Sequence, residues 1–476
     1  MNPRAETADL PAAFTGVRSE ASKVRAAERF LSRSRGVAVA VFLFFAATFD
    51  IGHVQDDGTV YFDFLRRLFG VQTPAVAYQF GSAFWSAPFY LASQLAALRG
   101  GFDHYHAGEV ATNVASNAAI VVTLYLGWRI LRELDLPRGG LVLLLTLFGS
   151  PLFFYGALNP SYKHAADTLY ATALFWFVLR SSRTDARRRD YAGAGACLAL
   201  LLATRYANGA LAAGVVGMFF VLRLRLAAAW IVVATALVSI VLFGLPVIRH
   251  IPYGLPPARY GPQVAASDGP AAISRSSVRV AMGSNVIISP LFRTNGISPT
   301  APLKMLFTLH RGLFIWTPLT FFATVGFVAL LLRDRRHRAF IATLGVSALA
   351  LLAIHALWGA YWDGGGSFSQ RFLTALFPFF LVGTAEFVRR FARPGIALLS
   401  ICVCWSLWLG LVDYNGYYEG NPRDGVGQVV GNFKSFTGPR VSRFHTPPPY
   451  DSLENFGLQM ADRISGRWQL YWRLVT

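Results

Sequence analysis

Long stretches free of charge recur along the chain, at 110–128, 139–162, 206–222, 226–248, 312–332, 339–362 and 394–412. At about 1.5 Å of rise per residue, most are long enough to cross a hydrocarbon core about 30 Å thick. Few long alternating stretches accompany them, which excludes a barrel. The pattern therefore predicts an all-α, polytopic membrane protein with eleven transmembrane helices, at 36–52, 109–131, 139–157, 163–180, 190–204, 206–222, 226–248, 312–332, 338–357, 371–388 and 395–413.

One further stretch, "YQFGSAFWSAPFYLASQLAAL" at 78–98, is ambiguous, and basic residues decide it. If it does not cross, the cytoplasmic segments are 1–35, "WRILRELDLPR", "RSSRTDARRR", "RLR", "RDRRHR" and "VRRFAR", which together hold 24 of the 44 Lys and Arg. That asymmetry is what the positive-inside rule requires. A crossing would turn every later loop over. The stretch is thus expected to be an external interfacial helix, with Trp85 and Tyr90 at headgroup level. The same argument keeps 190–204 and 206–222 as two spans, broken at "TRYANG" by an Asn-Gly turn signal that carries Arg205. Irregular backbone at membrane depth is tolerated only against protein or a water-filled cavity.

Composition agrees. Only 14% of the 476 residues are charged, against about 25% in an average soluble domain. The net charge of +19 comes mainly from Arg between the apolar runs, and no basic–aromatic nucleic-acid module is present. Cys197, Cys402 and Cys404 lie inside apolar runs, so neither a disulfide framework nor a zinc site is indicated.

With this topology the unusual polar clusters all fall outside. "FDIGHVQDDGTVYFDFL" at 49–65 carries Asp50, Asp56, Asp57 and Asp63. "NPSYKHAAD" carries Lys163 and His164, "TLHRGLFIWTP" carries His310 and Arg311, and "WGAYWDGGGSFSQRF" carries Asp363 and Arg371. Carboxylates on one loop with Arg, Lys and His on others describe a site for an anionic substrate and an acid–base step. Each element has a plainer reading too. Asp56-Asp57-Gly58 is a common turn, Lys163 and His164 open a span, and His355 within a span is a hydrogen-bonded packing residue. The glycine triplet is no phosphate loop, because it lacks the Gly-Lys-Ser/Thr ending. Arg205 has the strongest functional reading, as an ionisable residue within an apolar stretch.

Six segments, in this order, resemble the GT-C glycosyltransferases, similar to bacterial protein O-mannosyltransferases and aminoarabinose transferases: "DDGTVYFDFLRRL", "FGSAFWSAPFYL", "NPSYKHAADTLYATAL", "TRYANGAL", "RGLFIWTPL" and "GGGSFSQRFL". Ser369 stands where those enzymes carry Gly. The resemblance covers about residues 50–385 and implies transfer of a sugar from a polyprenyl-phosphate donor to an acceptor hydroxyl, with inversion. Asp57 is then the catalytic base, with Asp56 orienting the acceptor or sharing a divalent ion. Lys163, His164, Arg205 and Arg371 hold the donor phosphate, while His310, Arg311 and Asp363 bind substrate. The acceptor would be a glycan, lipid or protein, reached at the outer face of the cytoplasmic membrane.

The expected organisation is a cytoplasmic segment 1–35, a transmembrane catalytic unit 36–413 with external loops 50–108 and 249–311, and an external tail 414–476. An O-antigen ligase or polymerase-like enzyme, built on the 249–311 loop, and a secondary transporter are the alternatives. The topology predicts that cysteines introduced at 249–311 react with an impermeant thiol reagent on intact cells, whereas those at 181–189 and 333–338 do not. The reverse labelling pattern would invert the orientation.

Overall fold

A computed structural model describes residues 54, 57–71, 73, 81–101, 103–160, 162–183, 185–221, 230–239, 300–308, 311–356 and 368–414. The expected span at 36–52, Asp50, Asp56, His310, Asp363, most of the 249–311 loop and nearly all of the 414–476 tail lie outside the described residues, as does the side chain of Asp57.

Among the described residues every regular element is helical. In chain order they are α1 (Asp57–Leu68), α2 (Gly81–Gly100), α3 (His104–Glu133), α4 (Gly139–Phe148), α5 (His164–Ser181), α6 (Arg188–Thr204), α7 (Leu211–Val221) and α8 (Trp230–Ser239). They continue as α9 (Ala301–Phe307), α10 (Leu313–Trp316), α11 (Leu319–Arg333), α12 (Arg338–Ala356) and α13 (Phe377–Tyr414). Among the described residues three stretches are long and apolar enough to cross a membrane: His104–Glu133, Arg338–His355 and Arg371–Gly410. Leu98, Val216, Leu237, Leu332, Leu349 and Ile401, on six different helices, are exposed. Apolar side chains spread over the outside in this way suit a lipid surround, as the sequence predicts.

Helix ends follow local chemistry. The Asp103 carboxylate accepts the backbone N–H groups of His106 (3.0 Å) and Tyr105 (3.3 Å) and so caps α3. Those two bonds hold its carboxyl below the usual range, so the cap is present at neutral pH and lost as pH falls through the carboxylate range. The expected span 139–157 is not one helix. Gly149-Ser150-Pro151 stops α4, and a π turn follows at Phe154–Leu158, closed by the Asn159 N–H on the Phe154 carbonyl at 2.7 Å. Pro318 likewise separates α10 from α11 within 312–332, and 371–388 begins as a 3-10 helix, Arg371–Leu376. The stretches expected as spans at 371–388 and 395–413 are both helical over most of their length and are merged in α13 across a sharp break at Ala392 (φ 43°, ψ −123°), just before Pro394.

The 78–98 stretch does form a helix, α2, which packs on α1, α3, α5 and α6. Its aromatic residues depart from expectation. Trp85 donates to the Ala115 carbonyl at 2.6 Å, and Tyr90 is buried against Phe62, so both face the bundle instead of headgroups. A carbonyl that accepts the indole N–H and a second aromatic ring hold these side chains within the bundle.

The basic loops gather at one end. Arg183 Nη1 lies 2.6 Å from Glu133, Arg336 lies 3.8 Å from Asp135, and Arg333 lies 3.3 Å from the buried Glu386. These contacts join three of the segments assigned to one side of the membrane by charge alone, and Glu386 also pairs with Arg389 of a fourth. Helix α5 runs from His164 to Arg180 and Ser181, so its other end lies about 25 Å from this cluster.

Helices α11 and α13 share an extensive contact, in which glycines let the backbones touch. A Cβ on Gly383 would collide with the Ala323 carbonyl, and one on Gly326 with the Gly383 carbonyl. Small residues at such crossings are how membrane helices approach closely. Gly383→Val is expected to lower the melting temperature in detergent, costing about 1–3 kcal/mol or more by overpacking. Gly217→Ala on α7, where a Cβ meets nothing within 4 Å, is expected to be neutral or to gain up to about 1 kcal/mol from helix propensity. Equal melting temperatures for the two variants would refute the close-packing account.

Candidate functional site

Helix α6 ends at Thr204, and Arg205 is extended (φ −159°, ψ 121°) before the chain re-enters a 3-10 helix at Tyr206–Ala210. The break expected at "TRYANG" is therefore real, and it delivers Arg205 into the interior, 3% exposed. Opposite it stands the first turn of α5, which carries His164 and the fully buried Asp167. Arg205 Nε lies 3.8 Å from Asp167 Oδ2, and Arg205 Nη2 lies 3.3 Å from His164 Nδ1. Asn208, one turn beyond Arg205, donates to Asp167 Oδ1 at 2.9 Å. Arg205 Nη1 is buried and has no hydrogen-bond partner. A buried guanidinium with an unused donor is costly unless an anion reaches it.

The other two expected cations join this pair. The Arg371 guanidinium lies 5.8 Å from the centre of the Tyr162 ring and 5.6 Å from that of Phe372, whose ring also carries Arg205 at 4.8 Å. Lys163 is buried, with Nζ 5.2 Å from the Tyr61 ring on α1. The charges of Arg205, Arg371 and Lys163 all bear on His164. All four residues chosen from the sequence for a donor phosphate thus converge. The N-terminal end of α5 adds its partial positive charge.

Aromatic rings wall the cluster. Tyr155, in the π turn, packs its ring 4.5 Å from that of His164, tilted by 53°, and donates its hydroxyl to the Phe368 carbonyl at 3.0 Å. His355 on α12 stacks on Phe372 at 5.0 Å, and its Nδ1 lies 2.7 Å from the Leu351 carbonyl, as a packing histidine would. Arg311 reaches the same region through its backbone, since Gln370 Nε2 donates to its carbonyl at 3.1 Å. A small cavity between α1, α2, α3 and the start of α5 adjoins Lys163, lined by Tyr61, Ser82, Ser86, Thr112, Ser116 and Tyr162.

The acidic loop meets the cluster at Tyr61. Asp57 opens α1, four residues and about one helical turn before Tyr61. The segment before α1 is tied to α3, because the Val54 N–H donates to the buried Glu109 carboxylate at 3.1 Å. Among the described residues no group of three His, Cys, Asp or Glu could hold a metal ion.

Sequence reasoning missed Asp167, Asn208, Tyr155 and Thr374. Asp167 and Asn208 lie within the quoted "NPSYKHAAD" and "TRYANG" segments, and the three-residue spacing from His164 to Asp167 places both on one face of α5. Tyr155, and Thr374 with its hydroxyl 3.5 Å from His164 Nδ1, reach the cluster from segments far away in sequence, through contacts that no spacing encodes.

Among solved structures, the chain is similar to the archaeal oligosaccharyltransferase AglB from Archaeoglobus fulgidus, in complex with an inhibitory peptide and a dolichol-phosphate. That match has 12% identity and a TM-score of 0.45, and it covers 89% of this chain and 62% of that one. It is also similar to ArnT from Cupriavidus metallidurans bound to undecaprenyl phosphate, at 14% identity and a TM-score of 0.45 over 84% of this chain and 72% of that one. The chain therefore spans less than two thirds of the archaeal enzyme. No family profile and no curated protein sequence matches it. Similarity at this level leaves the chemistry to rest on the residues themselves.

Ser369 adopts φ 47°, the left-handed region that favours glycine. The backbone geometry at this position suits Gly although the residue is Ser. Ser369→Gly is expected to keep full activity and to stabilise by about 1 kcal/mol, while Ser369→Val destabilises. Melting curves in detergent check both, and a destabilised Ser369→Gly would contradict the strained geometry.

Proposed function

We propose that the protein is a membrane glycosyltransferase that moves a sugar from a polyprenyl-phosphate donor to an acceptor hydroxyl. The observation that carries this reading is the convergence of Lys163, His164, Arg205 and Arg371, with Arg205 Nη1 buried and unpartnered. The cluster also lies at the opposite end of α5 from the gathered basic loops. With those loops cytoplasmic, the site opens on the outer face of the cytoplasmic membrane, where a lipid-borne phosphate and a water-borne acceptor can meet.

Donor phosphate charge grows as the sugar departs, and fixed cations in a water-poor site stabilise that charge without a general acid. The acceptor hydroxyl is a poor nucleophile and needs a base. Asp57 takes its proton as the new bond to the anomeric carbon forms. The old bond to the phosphate oxygen breaks with its electron pair left on the phosphate. One base and one displacement give inversion. Asp56 orients the acceptor or shares a divalent ion with Asp57, and His310, Arg311 and Asp363 bind the remainder of the substrates. Lys163 bridges the two parts through Tyr61, on the helix that Asp57 opens.

The buried Arg205–Asp167 pair at a helix break also suits a secondary transporter, in which discontinuous helices carry the binding site. Transfer to an acceptor, absent from a transporter, separates the readings.

Asp57→Asn is expected to reduce turnover by about 10²-fold or more, as for loss of a general base, while a labelled polyprenyl phosphate still binds. Arg205→Gln is expected to weaken that binding instead. Repeating both assays with a chelator, beside Asp56→Asn, tells an orienting carboxylate from a shared metal ion. Near-normal transfer by Asp57→Asn would end the proposed role of this loop.

A further inference from the structure

The contacts around His164 determine more than its place in a cationic cluster. Its Nδ1 lies 3.3 Å from Arg205 Nη2 and 3.5 Å from Thr374 Oγ1. A guanidinium can only donate, so the nearer contact requires Nδ1 to be an acceptor, without a proton. Thr374 offers the competing arrangement, in which Nδ1–H would donate to its hydroxyl oxygen. That contact is longer and uncharged, and it would set the Nδ1 proton against the Arg205 N–H. The Thr374 hydroxyl itself donates to the Arg371 carbonyl at 3.0 Å, and so leaves the guanidinium as the donor facing Nδ1. Charge-assisted bonds are roughly twice as strong as neutral ones, which decides between the two.

The guanidinium is itself held. Asp167 lies 3.8 Å from its Nε, and Asn208 fixes the other carboxylate oxygen at 2.9 Å. Phe372 stacks on its face at 4.8 Å. Asp167 and Asn208 have no other assigned task.

We propose that His164 acts as a neutral hydrogen-bond donor through Nε2–H, its tautomer set by Arg205, and that Asp167 and Asn208 are positioning residues that hold the Arg205 guanidinium for this purpose. The tautomer of a histidine is set by the bond its other nitrogen makes. The anion that Nε2–H serves is the lipid phosphate, so this part rests on the function proposed above. The tautomer itself does not.

The experiment uses the full chain in nanodiscs with ring-¹⁵N-labelled histidine. The nine histidines are resolved by assigning His164 from the signals lost in His164→Gln. At neutral pH the His164 Nδ1 is expected to be unprotonated and Nε2 protonated. A protonated Nδ1, in either the other tautomer or the imidazolium, overturns the proposal. Asp167→Asn and, separately, Asn208→Ala are expected to give a tautomer mixture. An unchanged single tautomer in a folded example of either removes its positioning role.

Binding of undecaprenyl phosphate in detergent supplies the ligand arm. His164→Gln, whose side-chain amide reaches the Nε2 position, is expected to bind about tenfold more tightly than His164→Asn, which reaches only Nδ1. Equal affinities of the two variants, with a wild type that binds, overturn the donor role. A wild type that does not bind this lipid overturns the proposed function and leaves the tautomer result standing.

Discussion

A carboxylate with no exposure to solvent, Asp167, sets the terms for the rest of the molecule. An ion so placed persists only with a compensating charge and hydrogen bonding beside it. Here Oδ2 faces the Arg205 guanidinium at 3.8 Å without a hydrogen bond, and Oδ1 accepts one from Asn208 at 2.9 Å. Both partners sit in the short segment between α6 and α7, where the extended Arg205 and the 3-10 turn that follows bring them onto Asp167 together. Arg205, turned inward by the break, then brings His164 and Phe372 into fixed relation, and Phe372 brings Arg371.

Arg371 gains its position from a different part of the bundle. Its 3-10 helix continues directly into α13, and α13 is the helix whose glycine lies against α11 with backbones in contact. At the far end of that pair, Glu386 takes Arg389 Nε at 2.6 Å and Arg333 Nη2 at 3.3 Å, a buried carboxylate again satisfied by two cations. The strap that carries Ser369, Gln370 and Arg371 is thus mounted on a frame with little freedom. Such a mounting keeps several long cationic side chains in one geometry without further cost when a ligand arrives.

Much of this could be read from sequence because membrane insertion leaves few options. Charge-free length located the helices, and the count of Arg and Lys grouped 129–138, 180–189 and 333–338, which ion pairs then join at one end. The three cations and His164 were legible because an ionisable residue is conspicuous among apolar ones. Helix interruptions were harder. "TRYANG" announced itself by Asn-Gly, whereas Gly149-Ser150-Pro151 was hidden in an unbroken apolar run whose length alone suggested one span. Asp167 was passed over because a carboxylate three residues into a span looked like part of an external loop. Its importance comes from Asn208, 41 residues away in sequence, and no local pattern carries that pairing. Trp85 and Tyr90 misled for a related reason. Their amphipathic character suits an interface and a wet core alike, and only the neighbouring Ala115 carbonyl and Phe62 ring decide.

On the proposed reading, the two halves of the reaction stand on separate supports. The cations belong to α5, the Arg205 turn and the strap before α13. The carboxylate loop belongs to α1, which is tethered behind by Val54 on Glu109 of α3 and ahead by Arg67 on Thr73 (Nε to Oγ1, 2.8 Å). Arg66 adds a stack 4.9 Å from the Tyr105 ring, again on α3. One described side-chain contact between the halves is the approach of Lys163 to Tyr61. A cation over a ring is worth about 0.5–2 kcal/mol, so this contact joins the halves without making one the foundation of the other. A lipid arriving from one direction and a hydroxyl from another then meet residues held by different elements, and neither substrate has to disorganise the residues that hold its partner.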